Sequence, residues 1–346
     1  MPQDFEVRAF QKGDEQGLVD LFGRCFGRQS SLAHWTWKMQ PCETDFDTMW
    51  LAVKDGRPVG QYVGTPIPIW INGKPGRGIA IFDTMVDPSM RRKGVLTAVG
   101  SAAHQHWQDS GIQLGFGLPN QQWGSRAAAL GWIEMFPLNW LVRVLRPEAI
   151  LARRTKIGAL KHATALGAVA RKVIGRSSEA SEFRFENFEV APESLDKIAE
   201  SWRCNSSTQI ARGRDWVQKR YLNCPSADYR LVLGLRDGQP FGYAIYRVID
   251  GDAHQAIITE VITVEASQNP HNALVTEIER QSLELGVETI RTLAVPGKTN
   301  YQYFREAGFI EKTPGFTLQL VPFDDALKAR KALEDWDFQP GDFDVV

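Results

Sequence analysis

Val86-Asp87-Pro88-Ser89-Met90-Arg91-Arg92-Lys93-Gly94-Val95-Leu96-Thr97 is the stretch on which the reading of this chain turns. Ahead of it, Gly78 to Val86 is a mainly apolar run that predicts a strand; behind it, Val95 to Trp107 has the spacing of an amphipathic helix. The stretch is therefore the junction of a strand end, a basic glycine loop and a helix N-terminus. N–H groups in the first turn of a helix lack helical partners, and the helix dipole is positive at that end. Arg91, Arg92 and Lys93 add charge, and Gly94 removes the Cβ that would hold a ligand off the backbone. Together they predict a pyrophosphate site. A solvated basic loop is the plainer alternative, and the flanking strands and helix weigh against it.

Working outward, Phe5 to Phe10 predicts a first strand, and Leu18, Leu21, Phe22, Cys25 and Phe26 recur at helical spacing, as do Trp35 and its neighbours in Leu32 to Met39. Strands follow at Met49 to Lys54 and Val59 to Ile71, with turns at Asp55-Gly56 and Asn72-Gly73. Beyond the loop come a strand at Ile112 to Leu118, a helix at Trp123 to Leu130 ending on Gly131, and a strand at Pro137 to Leu145 expected to close this unit.

The order then repeats. Strands are expected near Phe183 to Val190, Leu231 to Leu235, Phe241 to Ile249, Ala256 to Val264 and Thr289 to Val295. Helices are expected at Glu193 to Trp202, Arg214 to Leu222, Asn272 to Leu285 and Tyr301 to Ala307. Residues repeat too: Asp55-Gly56-Arg57-Pro58-Val59-Gly60 parallels Asp237-Gly238-Gln239-Pro240-Phe241-Gly242, and Trp35-Thr36-Trp37-Lys38 parallels Trp216-Val217-Gln218-Lys219. Self-similarity of this kind indicates a duplicated unit. The expected division is residues 1–147, a basic connector at 148–181, a second unit at 182–323 and a helical, acidic tail at 324–346. At the matching loop the second unit reads Ala266-Ser267-Gln268-Asn269-Pro270-His271-Asn272, without glycine, arginine or lysine, so one pyrophosphate site is expected.

Here the chain resembles the GNAT (GCN5-related N-acetyltransferase) superfamily, over nearly its whole length. The family carries Gln/Arg-x-x-Gly-x-Gly/Ala after its fourth strand, and Arg91-Arg92-Lys93-Gly94-Val95-Leu96 fits except at Leu96. The resemblance implies a mixed α/β (α+β) fold of two tandem units, each a mostly antiparallel mixed sheet flanked by helices. It implies acetyl-CoA as cofactor, with pyrophosphate at Arg91 to Thr97 and the pantetheine arm against Thr84, Met85, Val86 and Asn120, where a bulge in the fourth strand splays the sheet. It implies transfer of the acetyl group to a primary amine of a small molecule or amino sugar. The family often places a tyrosine four residues before the final glycine as acid to the leaving thiolate; Ala127 stands there, leaving Ser125, water or a distant residue.

An alkylamine is mostly protonated at pH 7, so a base must take its proton, and Asp83 beside the cofactor-facing strand is the first candidate; a structural carboxylate is the alternative. The acidic loop Glu43-Thr44-Asp45-Phe46-Asp47 either attracts a cationic substrate or is simply solvated. Some tandem members of the family use the chain-terminal carboxylate in catalysis; an untethered tail is the expectation here. Two other functions stay open: a non-catalytic CoA-binding sensor or scaffold, and a Fem-like aminoacyl transferase drawing on charged tRNA, which lacks the pyrophosphate loop.

Composition sets the outer bounds. A net charge of -1 over 346 residues argues against a surface built for nucleic acid. Four cysteines without a CxxC pair form neither a disulfide framework nor a zinc site, and His104 and His106 point to different helix faces, so no metal is expected. No apolar run is long enough to span a membrane, making the cytoplasm the expected compartment. The connector's basic residues, Arg153 to Arg176, read as a solvated face, with a membrane-surface or acidic-partner contact through 150–176 as the lesser alternative. Oligomeric state is not encoded in any motif.

Overall fold

A computed structural model describes residues 4–39, 46–119, 123–155, 182–203, 208–249, 254–329 and 331–343. The first half lays down β1 (Glu6–Ala9), α1 (Glu15–Phe26), α2 (Leu32–Met39), β2 (Met49–Lys54), β3 (Arg57–Ile71), β4 (Lys74–Val86), α3 (Val95–Asp109), β5 (Leu114–Gly117), α4 (Gly124–Ala129) and β6 (Ile133–Val144). After α5 (Pro147–Thr155) the second half gives β7 (Phe183–Phe188), a helix Ser194–Trp202, β8 (Thr208–Ile210) and a helix Arg214–Val217 that continues as a π-turn through Leu222. It goes on to β9 (Tyr229–Arg236), β10 (Gln239–Ile249), β11 (Gln255–Thr263), a helix Gln268–Glu284, β12 (Thr289–Ala294), a helix Thr299–Glu306 and β13 (Ile310–Pro322). The hairpin turns follow from their residues: Asp55-Gly56, Asn72-Gly73 and Asp237-Gly238 all hold both positions at positive φ, as a two-residue I′ turn needs. Most of the connector, 156–181, lies outside the described residues.

All described strands join one mixed sheet in the order β1-β2-β3-β4-β5-β13-β6-β12-β11-β10-β9-β7, with β8 paired to the far end of β3. The strand expected to close the first half does not close it. β6 instead runs antiparallel between β12 and β13, and β13, a strand not expected from the sequence, takes the place beside β5. The two halves have exchanged their last strands. β6 accordingly serves both cores: Leu138 packs in the first half and Leu141 in the second, both fully buried. The crossing is tight enough that a Cβ at Gly315 would collide with the carbonyl oxygen of Leu138.

The tail is the second correction. It was expected to be untethered, yet Gln339, Pro340, Gly341, Asp342 and Phe343 are all buried. The reason is electrostatic as well as apolar. Arg212, itself buried, donates from Nη2 to Asp342 Oδ1 at 2.5 Å and to the Asp337 carbonyl at 3.3 Å, and its Nε lies 3.7 Å from buried Glu260 Oε1. Arg220 holds the Gly341 and Phe343 carbonyls at 3.0 and 2.7 Å. Burial opposes charge on Arg212, but Asp342, Glu260 and Asp337 outweigh it and raise its pKa; burial pushes Asp342 up to about 7 against the pull of Arg212.

A buried charge left without its partner costs about 3–5 kcal/mol. Arg212→Met strands Glu260 and Asp342, so the urea midpoint should fall by that equivalent, with new exposure of the 337–343 segment to protease. An unchanged midpoint would mean the cluster does not hold the tail.

Candidate active site

β4 follows β3 in regular antiparallel register until Val63 faces Phe82, and then gains one residue, so that Gln61 faces Met85. The extra residue falls at Asp83-Thr84. Asp83 is left-handed, φ 43°, a conformation that an aspartate tolerates better than most side chains. Buried Gln61 fixes the bulge by donating from Nε2 to the Asp83 carbonyl at 2.9 Å. On its other edge β4 pairs in parallel with β5 only from Gly78 to Ala80, so beyond that point the two strands part.

The parting opens a cleft of about 1160 Å³. Its mouth is the basic loop. Asp87 caps the turn Pro88–Met90 by accepting from the Ser89 N–H at 3.0 Å, and Arg24 Nε bonds the same carboxylate at 2.8 Å. Burial works against charge on Asp87, but Ser89 and Arg24 outweigh it and hold the carboxyl below its usual range. Gly94, φ 77°, is the N-cap of α3, and a Cβ built on it meets nothing within 4 Å. Val95, Leu96 and Thr97 in the first turn of α3 therefore present N–H groups to open space, with Arg91 and Arg92 exposed beside them. Gly60 lets this turn sit close to the sheet, since a Cβ there would come within 2.5 Å of Val95 Cγ1.

Thr84, Met85, Val86, Arg91, Arg92, Gly94, Val95, Leu96 and Thr97 all line the cleft, and so does Asp83. Lys93 does not; its ammonium lies 3.7 Å from Met90 Sδ. Asn120 lies outside the described residues. Ser125 belongs to α4, with its side chain outside the described residues. Gly117 at the end of β5 is forced by space, because a Cβ would stand 2.8 Å from the Ile81 carbonyl oxygen. Trp123 and Trp132 form a wall. Trp132 Nε1 donates to the buried Tyr62 hydroxyl at 3.1 Å, which in turn is hydrogen-bonded with His104 Nε2 at 2.7 Å. Phe316 of β13 and Phe343 of the tail complete the lining, and nothing local in the sequence signals either.

Asp83 is not a lone carboxylate. Lys38 of α2 donates to its Oδ2 at 2.6 Å, both side chains about one-tenth exposed, and the same ammonium lies 4.9 Å from the centre of the Phe82 ring. Asp83 and Phe82 stand where three spaces meet. A polar pocket of about 330 Å³ shares Arg28 and Asp83 with the cleft; an apolar one of about 350 Å³, walled by Trp37, Ile67, Trp216 and others, shares Phe82 and Phe343 with it. Of the acidic loop, Glu43 to Asp45 lie outside the described residues. Asp47 turns to α3, its N–H donating to His106 Nε2 at 3.0 Å.

The second half opens in the same way, since β11 and β12 pair only from Gln255 to Ile257. Val86 pairs with Gly60 and Thr263 with Gly242, so three residues back Glu260 occupies the place of Asp83. There the opening is filled from within. The turn Pro340–Asp342 packs against β11 and β12, and Glu260 accepts from Tyr221, Tyr243 and Trp216 at 2.6, 3.1 and 2.9 Å.

A mixed sheet opened at a bulged strand, with a glycine loop and free helix N–H groups at the mouth of the opening, is the architecture of an acyltransferase domain. Residues 6–132 match the family model described as Acetyltransferase (GNAT) domain. Similar solved structures extend over both halves. A GCN5-related N-acetyltransferase from Anabaena variabilis shares 13% identity with a TM-score of 0.66, covering 95% of this chain and 75% of that one. One from Kribbella flavida gives 11%, 0.62, 92% and 70%, and Eis1 from Mycobacterium abscessus 16%, 0.59, 94% and 76%. At these identities the likeness is one of fold. No curated protein matches the sequence. No described helix is long and apolar enough to cross a membrane, and the described residues hold no cluster of metal-ligating side chains.

Burial, opposed by a backbone bond to Leu130, lowers the pKa of His104 from 6.5 to about 4. Between those values the unfolded chain binds a proton here that the folded chain does not, so stability is lost as pH falls through the window, by up to roughly 3 kcal/mol. Burial lowers His271 to about 4 as well, and it adds in the same range. His104→Gln should therefore flatten, without abolishing, the slope of unfolding free energy between pH 6.5 and 4 in urea titrations. An unaltered slope would mean that burial does not hold His104 neutral in the folded chain.

Proposed function

We propose that this protein is an acetyl-CoA-dependent N-acyltransferase acting on a primary amine of a small molecule. The observation that carries the proposal is continuity: one cleft runs from the open space before Gly94, past the bulge at Asp83, to the gap between β4 and β5. The residues present fit the cofactor. First-turn N–H groups and Arg91 and Arg92 would hold its pyrophosphate, and the unpaired edge of Thr84 to Val86 would hold its pantetheine amides. Bound acetyl-CoA supplies a thioester whose carbonyl carbon exchanges its C–S bond for a C–N bond, as the amine gives up a proton and the sulfur takes one.

The chain's own part is to seat the amine and receive that proton. Asp83 is the acid–base group at the junction of cleft and side pockets. Its carboxylate accepts from the Lys38 ammonium at 2.6 Å, which supports reading this position as one that meets cations. Trp123, Trp132, Phe316 and Phe343 keep water from the far end of the cleft.

Isothermal titration should show acetyl-CoA binding, weakened at least tenfold in the Arg92→Ala, Gly94→Ala double variant; a non-glycine residue at φ 77° is strained by about 1–2 kcal/mol in addition to losing the open approach. Asp83→Asn should lower kcat about a hundredfold or more while retaining cofactor binding. Absence of acetyl-CoA and CoA binding would sink the proposal. One feature favours a second reading, CoA binding without turnover: Ala127 is buried and offers no proton to a leaving thiolate. Thiol release from acetyl-CoA across an amine panel separates the two.

A further inference from the structure

The polar pocket behind Asp83 is a cation-lined chamber in a nearly neutral protein. Arg28, Arg220 and Arg247 reach it from the turn just after α1, from the π-turn after Val217 and from β10. None of the three has a carboxylate partner among the described residues. Each is backed instead by an aromatic ring of the pocket wall: Arg28 lies 5.3 Å from the centre of Phe22, Arg220 5.6 Å from Trp37 and Arg247 5.5 Å from Tyr229. Arg220 is fixed further by the tail, spending Nε and Nη2 on the Gly341 and Phe343 carbonyls. The one described acid in the lining, Asp83, is committed to Lys38.

Three guanidinium groups brought together, held in place by stacking and left without counterions, repel one another unless an anion lies between them. Guanidinium groups match the oxygens of carboxylate and phosphate two at a time, and stacking lowers the ordering cost of each bond. The Ser226 hydroxyl, 2.6 Å from His34 Nδ1, adds a neutral polar group to the same lining. Because Asp83 and Arg28 border both spaces, a molecule anchored by an acidic group here extends past Asp83 into the cleft.

We propose that the acceptor is an amine that also carries an acidic group, carboxylate or phosphate, and that Arg28, Arg220 and Arg247 bind that group while the amine faces Asp83. The pocket volume, about 330 Å³, suits a small molecule. This rests on the acyl-transfer reading and narrows it to acceptors opposite in charge to those an acidic loop would attract.

Matched pairs of amines test it: phenylalanine against phenylalaninamide for carboxylate, and glucosamine 6-phosphate against glucosamine for phosphate. Isothermal titration into the full chain loaded with CoA should show at least one acidic member binding tenfold or more tighter than its neutral partner. Arg247→Gln should remove most of that difference, and Arg247→Lys should restore part of it, with melting temperatures near wild type showing the fold intact. Equal binding of both members in both pairs, or a preference that survives Arg247→Gln unchanged, overturns the inference. Thiol release with the same compounds is read separately: an acidic amine that binds through Arg247 without being acetylated supports the anion pocket while refuting acyl transfer to it.

Discussion

The antiparallel pairing of β6 with β13 at the centre of the sheet is the constraint on which the rest depends. Each of these strands belongs by sequence to one half and by hydrogen bonding to the other. The exchange makes one continuous sheet of the described strands, and it builds the cleft from both halves: β4, β5 and α3 come from the first, while Phe316 and Phe343 come from the second. A first half folded alone would leave the free edge of β5 exposed, with one wall of its cleft missing.

The sheet parts at two places, one in each half of the chain, and the two openings differ in one pair of carboxylates. Asp83 stays at the cleft, held on a bulge by Gln61 and paired with Lys38. Its counterpart Glu260 has been recruited into the interior, where two tyrosines, a tryptophan and Arg212 satisfy it. Burying such a cluster is weak evidence for stability in itself, since desolvation offsets much of the attraction. Its effect is positional. It seats the turn Pro340–Asp342 in the second opening and so delivers Phe343 to the first, 6.4 Å from the Phe82 ring centre. The degenerate second half is thus the scaffold for the far wall of the first half's site.

Charge around the site follows the same rule that local placement outweighs composition. The chain is nearly neutral, yet Arg28, Arg220 and Arg247, scattered over 220 positions, converge on one pocket beside Asp83 from the turn after α1, the π-turn after Val217 and β10. Of the acidic loop, Asp47 turns toward His106.

The sequence by itself determined what depends on neighbours in the chain. Apolar periodicity set the strands and helices within a few residues, Asp-Gly and Asn-Gly pairs set the hairpins, and the glycine loop before an amphipathic helix marked the mouth of the cleft, because dihedral preference and helix N-termini are local physics. Asp83, too, was legible, as a carboxylate next to that loop. Its partner Lys38 was not, nor were Gly117, Trp132 and Phe343 as cleft walls, since a wall is defined by what stands opposite. Strand β13 gave no signal that would tell its place from that of β6: both are apolar strands of similar length, and the choice between closing one's own sheet and closing the neighbour's lies in how two edges fit. Only the tertiary structure decided that, along with the burial of the tail, whose acidic and aromatic residues read as solvated until Arg212, 130 positions away, supplies the counter-charge.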